Sequence, residues 1–159
     1  MIYFIVILII NTGSLGIVLL LRRKLHPLEI LSYWGCVVTI EQQLNTIISL
    51  NLKYVQLQEG AISFWSFKLN SIFLHPALTL LLFTVYFSKT STLFNKVILT
   101  AGWLFLMYLS LFLHTKYDIL KLQNWSFAST LYSLLGILAV SFGFALFFRS
   151  LLRRERILT

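Results

Sequence analysis

Acidic side chains are scarce in this chain, five in 159 residues, and charged residues of both signs make up only 11%. Soluble domains carry roughly a quarter charged residues. A chain that is 58% hydrophobic, with a mean hydropathy of +0.86, has no core large enough to hide that surface from water. A polytopic membrane protein is the class that fits. The single cysteine, Cys36, excludes an intrachain disulfide and a cysteine-clustered metal site. Neither the two prolines nor the seven glycines gather into a linker, and no internal repeat is visible. The three histidines lie on separate segments without metal-ligand spacing. Phosphate-binding glycine loops, G-x-S-x-G elbows and H-E-x-x-H helices are all missing. Together these absences predict a protein that is not an enzyme and needs neither cofactor nor metal.

What is present is basic charge, with a net of +8. A nucleic-acid surface needs its lysines and arginines on one solvated face. Here they stand at the ends of apolar runs, which is the pattern that sets membrane topology. The partner to expect is therefore the lipid bilayer, together with another copy of the chain or another membrane protein, and no nucleic acid.

About 20 predominantly apolar residues span a bilayer. Five segments qualify, at residues 2–21, 28–50, 69–87, 97–114 and 126–148. They predict an all-α transmembrane bundle forming one integral membrane domain over residues 1–159. The first segment has no charge before Arg22 and ends in Arg22, Arg23 and Lys24, so it reads as a retained span and not a cleaved signal. With the amino terminus outside, nine basic residues fall on the inner side (Arg22, Arg23, Lys24, Lys89, Lys96, Arg149, Arg153, Arg154 and Arg156). Four fall outside (Lys53, Lys68, Lys116 and Lys121). That bias predicts a carboxyl terminus on the cytoplasmic side.

Within this frame, His26-Pro27-Leu28-Glu29 reads as a helix start. Proline is tolerated at the first helical position, and a glutamate there favours the positive helix end. The informative stretch is TIEQQLN, residues 39–45, inside the second span. On a helix, Asn45, Ser49, Gln42 and Thr46 fall within about 140° of Glu41 on one side, with Trp34 and Val38, while Gln43 falls outside that stripe. Val37, Ile40, Leu44 and Ile47 are expected on the opposite, lipid-facing side. An intramembrane carboxylate costs about 2.5–3.5 kcal/mol on insertion scales, so the polar stripe should face protein.

Two readings of Glu41, Gln42 and Asn45 compete. They serve as interhelical hydrogen-bond glue, or Glu41 lies on an ion or proton path or contacts a polar ligand. Amides outnumber carboxylates and no second intramembrane acid stands ready for a relay, which favours glue. In the third span His75 precedes Pro76, where a kink is expected. At ~1.5 Å per residue His75 and Glu41 differ in depth by only ~5 Å, which allows a contact. His114, next to Lys116, reads as interfacial. The fifth span carries Ser129, Ser133, Gly136 and Gly143 at helical steps, a face on which backbones can approach closely. The triplet Asn124-Trp125-Ser126 matches a glycosylation acceptor, a pattern short enough for chance.

HPLE followed by Tyr33-Trp34, the amide-bearing second span, Pro76, and Trp125-Ser126 opening the last span resemble a family of uncharacterised small polytopic membrane proteins of endospore-forming bacteria. The resemblance covers about residues 25–150. It departs late in the fourth span, where an acidic residue is common in the family and this chain has YLSLFLH. The resemblance implies a multi-pass protein of the bacterial plasma membrane (the inner membrane), linked to sporulation and without catalytic activity. The expectation is thus a non-enzymatic structural or interaction component, with a transporter, channel or sensor component using Glu41 and His75 as the alternative.

Overall fold

The computed structural model describes residues 2–123 and 125–157; Asn124, the first residue of the acceptor triplet, lies outside them. The described chain is an all-α bundle whose helices form five rods. The first is α1 (Ile2–Leu21). The second is α2 (Pro27–Thr46), prolonged by a π turn over Ile47–Asn51. In the third, α3 (Ala61–Leu69) runs through a π turn at Asn70–Leu74 into α4 (His75–Tyr86). The last two are α5 (Leu93–Lys116) and α6 (Phe127–Arg154). Four rods are long and apolar enough to cross a membrane: Tyr3–Leu21, Ala61–Tyr86, Leu93–Lys116 and Ala128–Arg154. The α2 rod has the length, but Glu29, Glu41, Gln42, Gln43 and Asn45 make it less apolar.

Local chemistry accounts for the helix ends. The predicted HPLE start is present: the His26 side chain accepts from the Leu28 amide at 3.3 Å, and Glu29 Oε2 accepts from the His26 amide at 2.9 Å. Thr92 and Ser126 accept from Asn95 and Ser129 to begin α5 and α6. The third rod begins at Ala61, eight residues before the expected 69, because AISFWSFK is still an apolar helical stretch. Gly60, at φ +132°, breaks the chain just ahead of it. Lys68 is consequently a helix residue and not a loop residue in the topology count.

A second departure is the pairing of two connections. Strand β1 (Val55–Leu57) runs antiparallel to β2 (Leu120–Leu122), with Val55 opposite Leu122. Loops that read from the sequence as simple connections thus form a small ribbon across one end of the bundle. Basic side chains mark the other end, where Arg22, Arg23, Lys24, Lys89 and Arg153 are exposed.

Burial is inverted relative to a water-soluble protein. Large apolar side chains such as Leu20, Ile9 and Phe94 point outward, while Asn11, Ser14, Asn70, Ser71, Thr79, Ser110 and Ser141 are buried. Exposed apolar area on this scale is what a helix surface presents to lipid. The third rod is the centre, half buried, whereas about a fifth of each of the other three candidate spans is covered. It packs on α1, α2 and α5, and α6 packs chiefly on α2. Toward the basic end the apolar core consists of Leu21, Leu25, Ile30, Tyr33, Leu80, Phe83 and Ala145. Trp103 donates to Thr79 at 3.1 Å and joins α5 to α4.

Candidate functional site

Steps of four along α2 align Glu29, Tyr33, Val37 and Glu41 on one buried face. Val37 is therefore fully buried and not lipid-facing, because it sits one turn from Glu41 on the same side. Glu41 is only 4% exposed. Along α2 it lies about 15 Å from the Asn51 end and about 21 Å from Pro27, deep within any bilayer the rod crosses.

The other half of the site comes from the π turn. Such a turn closes i→i+5 bonds, so residues five apart stack where four apart normally would. The His75 amide bonds Asn70 O, and Asn70, Ser71 and His75 come to one face turned toward α2 and α5. The irregularity expected at Pro76 thus takes the form of a wide turn just before it, with Pro76 buried at the start of α4.

These elements bring Glu41 and His75 together. Glu41 Oε2 accepts from the Ser71 hydroxyl at 2.8 Å and lies 3.0 Å from His75 Nδ1. His75 Nε2 is 3.2 Å from Ser110 Oγ, which also accepts from Asn70 Nδ2 at 3.3 Å. Asn70 Oδ1 in turn accepts from Asn11 Nδ2 of α1 at 2.7 Å. On the other side Gln42 and Asn45 donate to Ser71 Oγ at 3.3 and 3.5 Å, and Lys68 donates to Gln42 Oε1. One connected polar network thus joins α1, α2, the third rod and α5. All four residues of the predicted polar site belong to it, whereas Gln43 and Thr46 are exposed.

The network borders a cavity of about 630 Å³ between α2, α3, α5 and α6, with Val55, Leu57 and Leu120 of the ribbon along one edge. Its polar wall holds Glu41, His75, Lys68, Ser110 and His114. The remainder is mainly apolar, including Leu44, Phe67, Met107, Leu111, Leu134 and Ile137. Glu41 Oε1 is buried and has no hydrogen-bond partner among the described residues. A buried carboxylate oxygen without a donor costs free energy, so Glu41 carries an unmet acceptor beside the cavity that it lines.

His114, read from the sequence as interfacial, also has protein partners that the sequence does not show. Near the end of α5 it is buried against protein, with Nδ1 only 2.6 Å from Ser110 O; that nitrogen carries the proton, because the carbonyl can only accept. The small-residue face of α6 also needs correction. Ser129 and Ser133 are half-buried, but Gly136 and Gly143 are exposed, and a Cβ at either meets nothing within 4 Å. The buried face of α6 is instead Ile137, Ser141, Ala145 and Leu152.

A second polar cluster escapes the sequence reading. Glu29, 1% exposed, accepts from Tyr33 at 3.1 Å, and its Oε1 lies 3.5 Å from Arg149 Nε. Tyr33 also reaches Ala145 O at 3.3 Å, and the Arg149 guanidinium stacks 4.3 Å from the centre of the Phe87 ring. The signal available is Glu29 and Tyr33 four residues apart; Arg149, at the end of an apolar run, reads only as a topology charge. Ser71, Ser110 and Asn70 go unseen because isolated small polar residues in spans carry no pattern.

No group of three or more metal-binding side chains occurs among the described residues. Set against family models, curated proteins and solved structures, the chain finds no match to any of them.

Proposed function

We propose that this chain is a non-enzymatic binding component of a cell membrane, crossing it five times with the ribbon end outside. In this reading the Glu41–His75 pair is the polar end of a chamber that receives a small amphiphilic molecule. The observation that carries the reading is a largely apolar cavity of about 630 Å³ lined by Glu41 and His75, a buried polar pair in which one Glu41 oxygen has no partner among the described residues. Small-molecule sites share that design: volumes of about 300–1,000 Å³, apolar walls and a few placed polar groups. Interhelical glue alone explains Ser71 and His75 on Oε2 but gives no use for Oε1.

The test compares wild type, Glu41→Gln and the chamber-filling Leu134→Trp in lipid nanodiscs. Thermal unfolding is followed across a panel of small amphiphiles, beside oligomeric state and ion flux in liposomes. Binding that raises the wild-type midpoint and is lost in both variants supports the chamber. If no amphiphile shifts the wild type while Glu41→Gln disrupts folding or assembly, Glu41 is structural glue and the reading fails.

A further inference from the structure

We infer that the basic end of the bundle carries a site for one anionic phospholipid, its phosphate held between Arg149 and Arg153 of α6 and an acyl chain running along Leu146. The site lies at the opposite end from the chamber and stands independently of it.

The first observation is how Arg149 is held. An arginine that only sets topology extends its head into water. Arg149 is instead 20% exposed, with Nε 3.5 Å from Glu29 Oε1 and its guanidinium stacked 4.3 Å from the centre of the Phe87 ring. Glu29 is fixed in turn by the Tyr33 hydroxyl and the His26 amide. Contacts from α2 and the end of α4 thus orient the head before any ligand arrives. Its Nε is buried; the Nη nitrogens, which bond no acceptor among the described residues, are not. They are the donors left open.

Arg149 lines a cavity of about 410 Å³ together with Leu146, Ser150, Arg153, Tyr86 and Phe87. Steps of three, four and seven residues put Leu146, Arg149, Ser150 and Arg153 on one face of α6. Along about 10 Å of helix that face passes from Leu146, 49% exposed, to the exposed Arg153. An apolar floor below a basic rim matches a phospholipid at the interface, whereas a free phosphate has no use for the floor. Ser150 spends its hydroxyl proton on Phe147 O at 2.7 Å, which leaves donation to the two arginines. Their planar forks suit phosphate oxygens.

The charge of the lipid follows from what is missing around the cavity. Two arginines face the one carboxylate of Glu29, and no acidic side chain among the described residues lines the cavity. Aromatic faces can hold the ammonium of a zwitterionic headgroup. Here Arg149 already covers Phe87, and Lys96 Nζ lies 5.8 Å from the centre of the Tyr86 ring. A zwitterionic headgroup finds a place for its phosphate and none for its ammonium.

The experiment is native mass spectrometry of the full chain released from detergent micelles, which counts bound lipids, beside thermal unfolding. The probes are phosphatidylglycerol, phosphatidylcholine with the same acyl chains, and inorganic phosphate. One phosphatidylglycerol should bind about tenfold or more tightly than phosphatidylcholine. Loss of hydrogen bonds to a charged group predicts that Arg149→Gln and Arg153→Gln each bind it about tenfold to a hundredfold more weakly. Arg154→Gln, one residue off the cavity, should bind it as wild type does. Should Arg149→Gln not fold for want of a partner to Glu29, Arg153→Gln against Arg154→Gln decides, since both side chains are exposed. Equal losses from those two variants would show a diffuse basic surface and overturn the site. Equal binding of the two lipids overturns it as well. Inorganic phosphate that raises the midpoint as far as phosphatidylglycerol at the same concentration overturns the lipid as its occupant.

Discussion

Replacing His75 by leucine tests the central pair through its energetics. His75 Nδ1 at 3.0 Å and the Ser71 hydroxyl at 2.8 Å are the partners of Glu41. Removing His75 leaves a carboxylate that is 4% exposed with one neutral donor. Breaking one side of a buried ion pair costs about 3–5 kcal/mol, since the surviving charge keeps its desolvation cost. Removing both sides is different. Replacing a buried pair by apolar residues of similar size ranges from neutral to about 1–4 kcal/mol stabilising. Here the Ser71 hydroxyl would lose its acceptor, which costs about 1–3 kcal/mol. Glu41→Leu/His75→Leu should therefore lie within about 2 kcal/mol of wild type, well above His75→Leu alone. The assay is reversible unfolding in mixed micelles of rising denaturing-detergent content, run on both single variants and the double. If the double variant loses the sum of the two single losses, the residues are not coupled. The geometry would then not be the reason Glu41 tolerates its depth.

Other predictions follow from separate parts of the fold. Tyr33→Phe removes a hydroxyl shared by Glu29 and Ala145 O and should lower unfolding free energy by about 1–2 kcal/mol in the same assay. Gly60→Ala meets no steric contact, so its backbone at φ +132° alone should cost about 1–3 kcal/mol, read as a lowered thermal midpoint. Gly136→Ala and Gly143→Ala should leave stability unchanged or raise it by up to about 1 kcal/mol each, because alanine is the better helix former. A drop in stability or loss of a dimer on gel filtration would show that this face packs against another copy. In a Cys36→Ser background, Gln58→Cys should react with an impermeant thiol reagent in intact cells. Lys89→Cys should react only after permeabilisation, and the reverse result would invert the proposed orientation.

Sequence alone determined that the chain is a membrane helical bundle, since long apolar runs must satisfy their backbone internally once water is gone. It also placed the HPLE helix start and the burial of Glu41, for both follow from local rules: proline and a carboxylate at a helix beginning, and the cost of a charge in lipid. The α2 register is legible only in part. Glu41, Gln42 and Asn45 read correctly onto one face, yet Val37 reads onto the wrong one, although its four-residue step from Glu41 is there to be seen. Tertiary structure decided the rest. A π turn at Asn70–Leu74 put Ser71 and His75 opposite Glu41, and Ser110 arrived from a helix further along the chain. It also drew Arg149 to Glu29, buried His114, paired the two ribbon strands and opened the cavity among α2, α3, α5 and α6. The physical reason is that a helix in lipid forms from its own sequence, whereas its neighbours are chosen by packing and interhelical hydrogen bonds without a hydrophobic force between rods. That choice depends on which side chains meet at the same depth, and only the assembled bundle shows it.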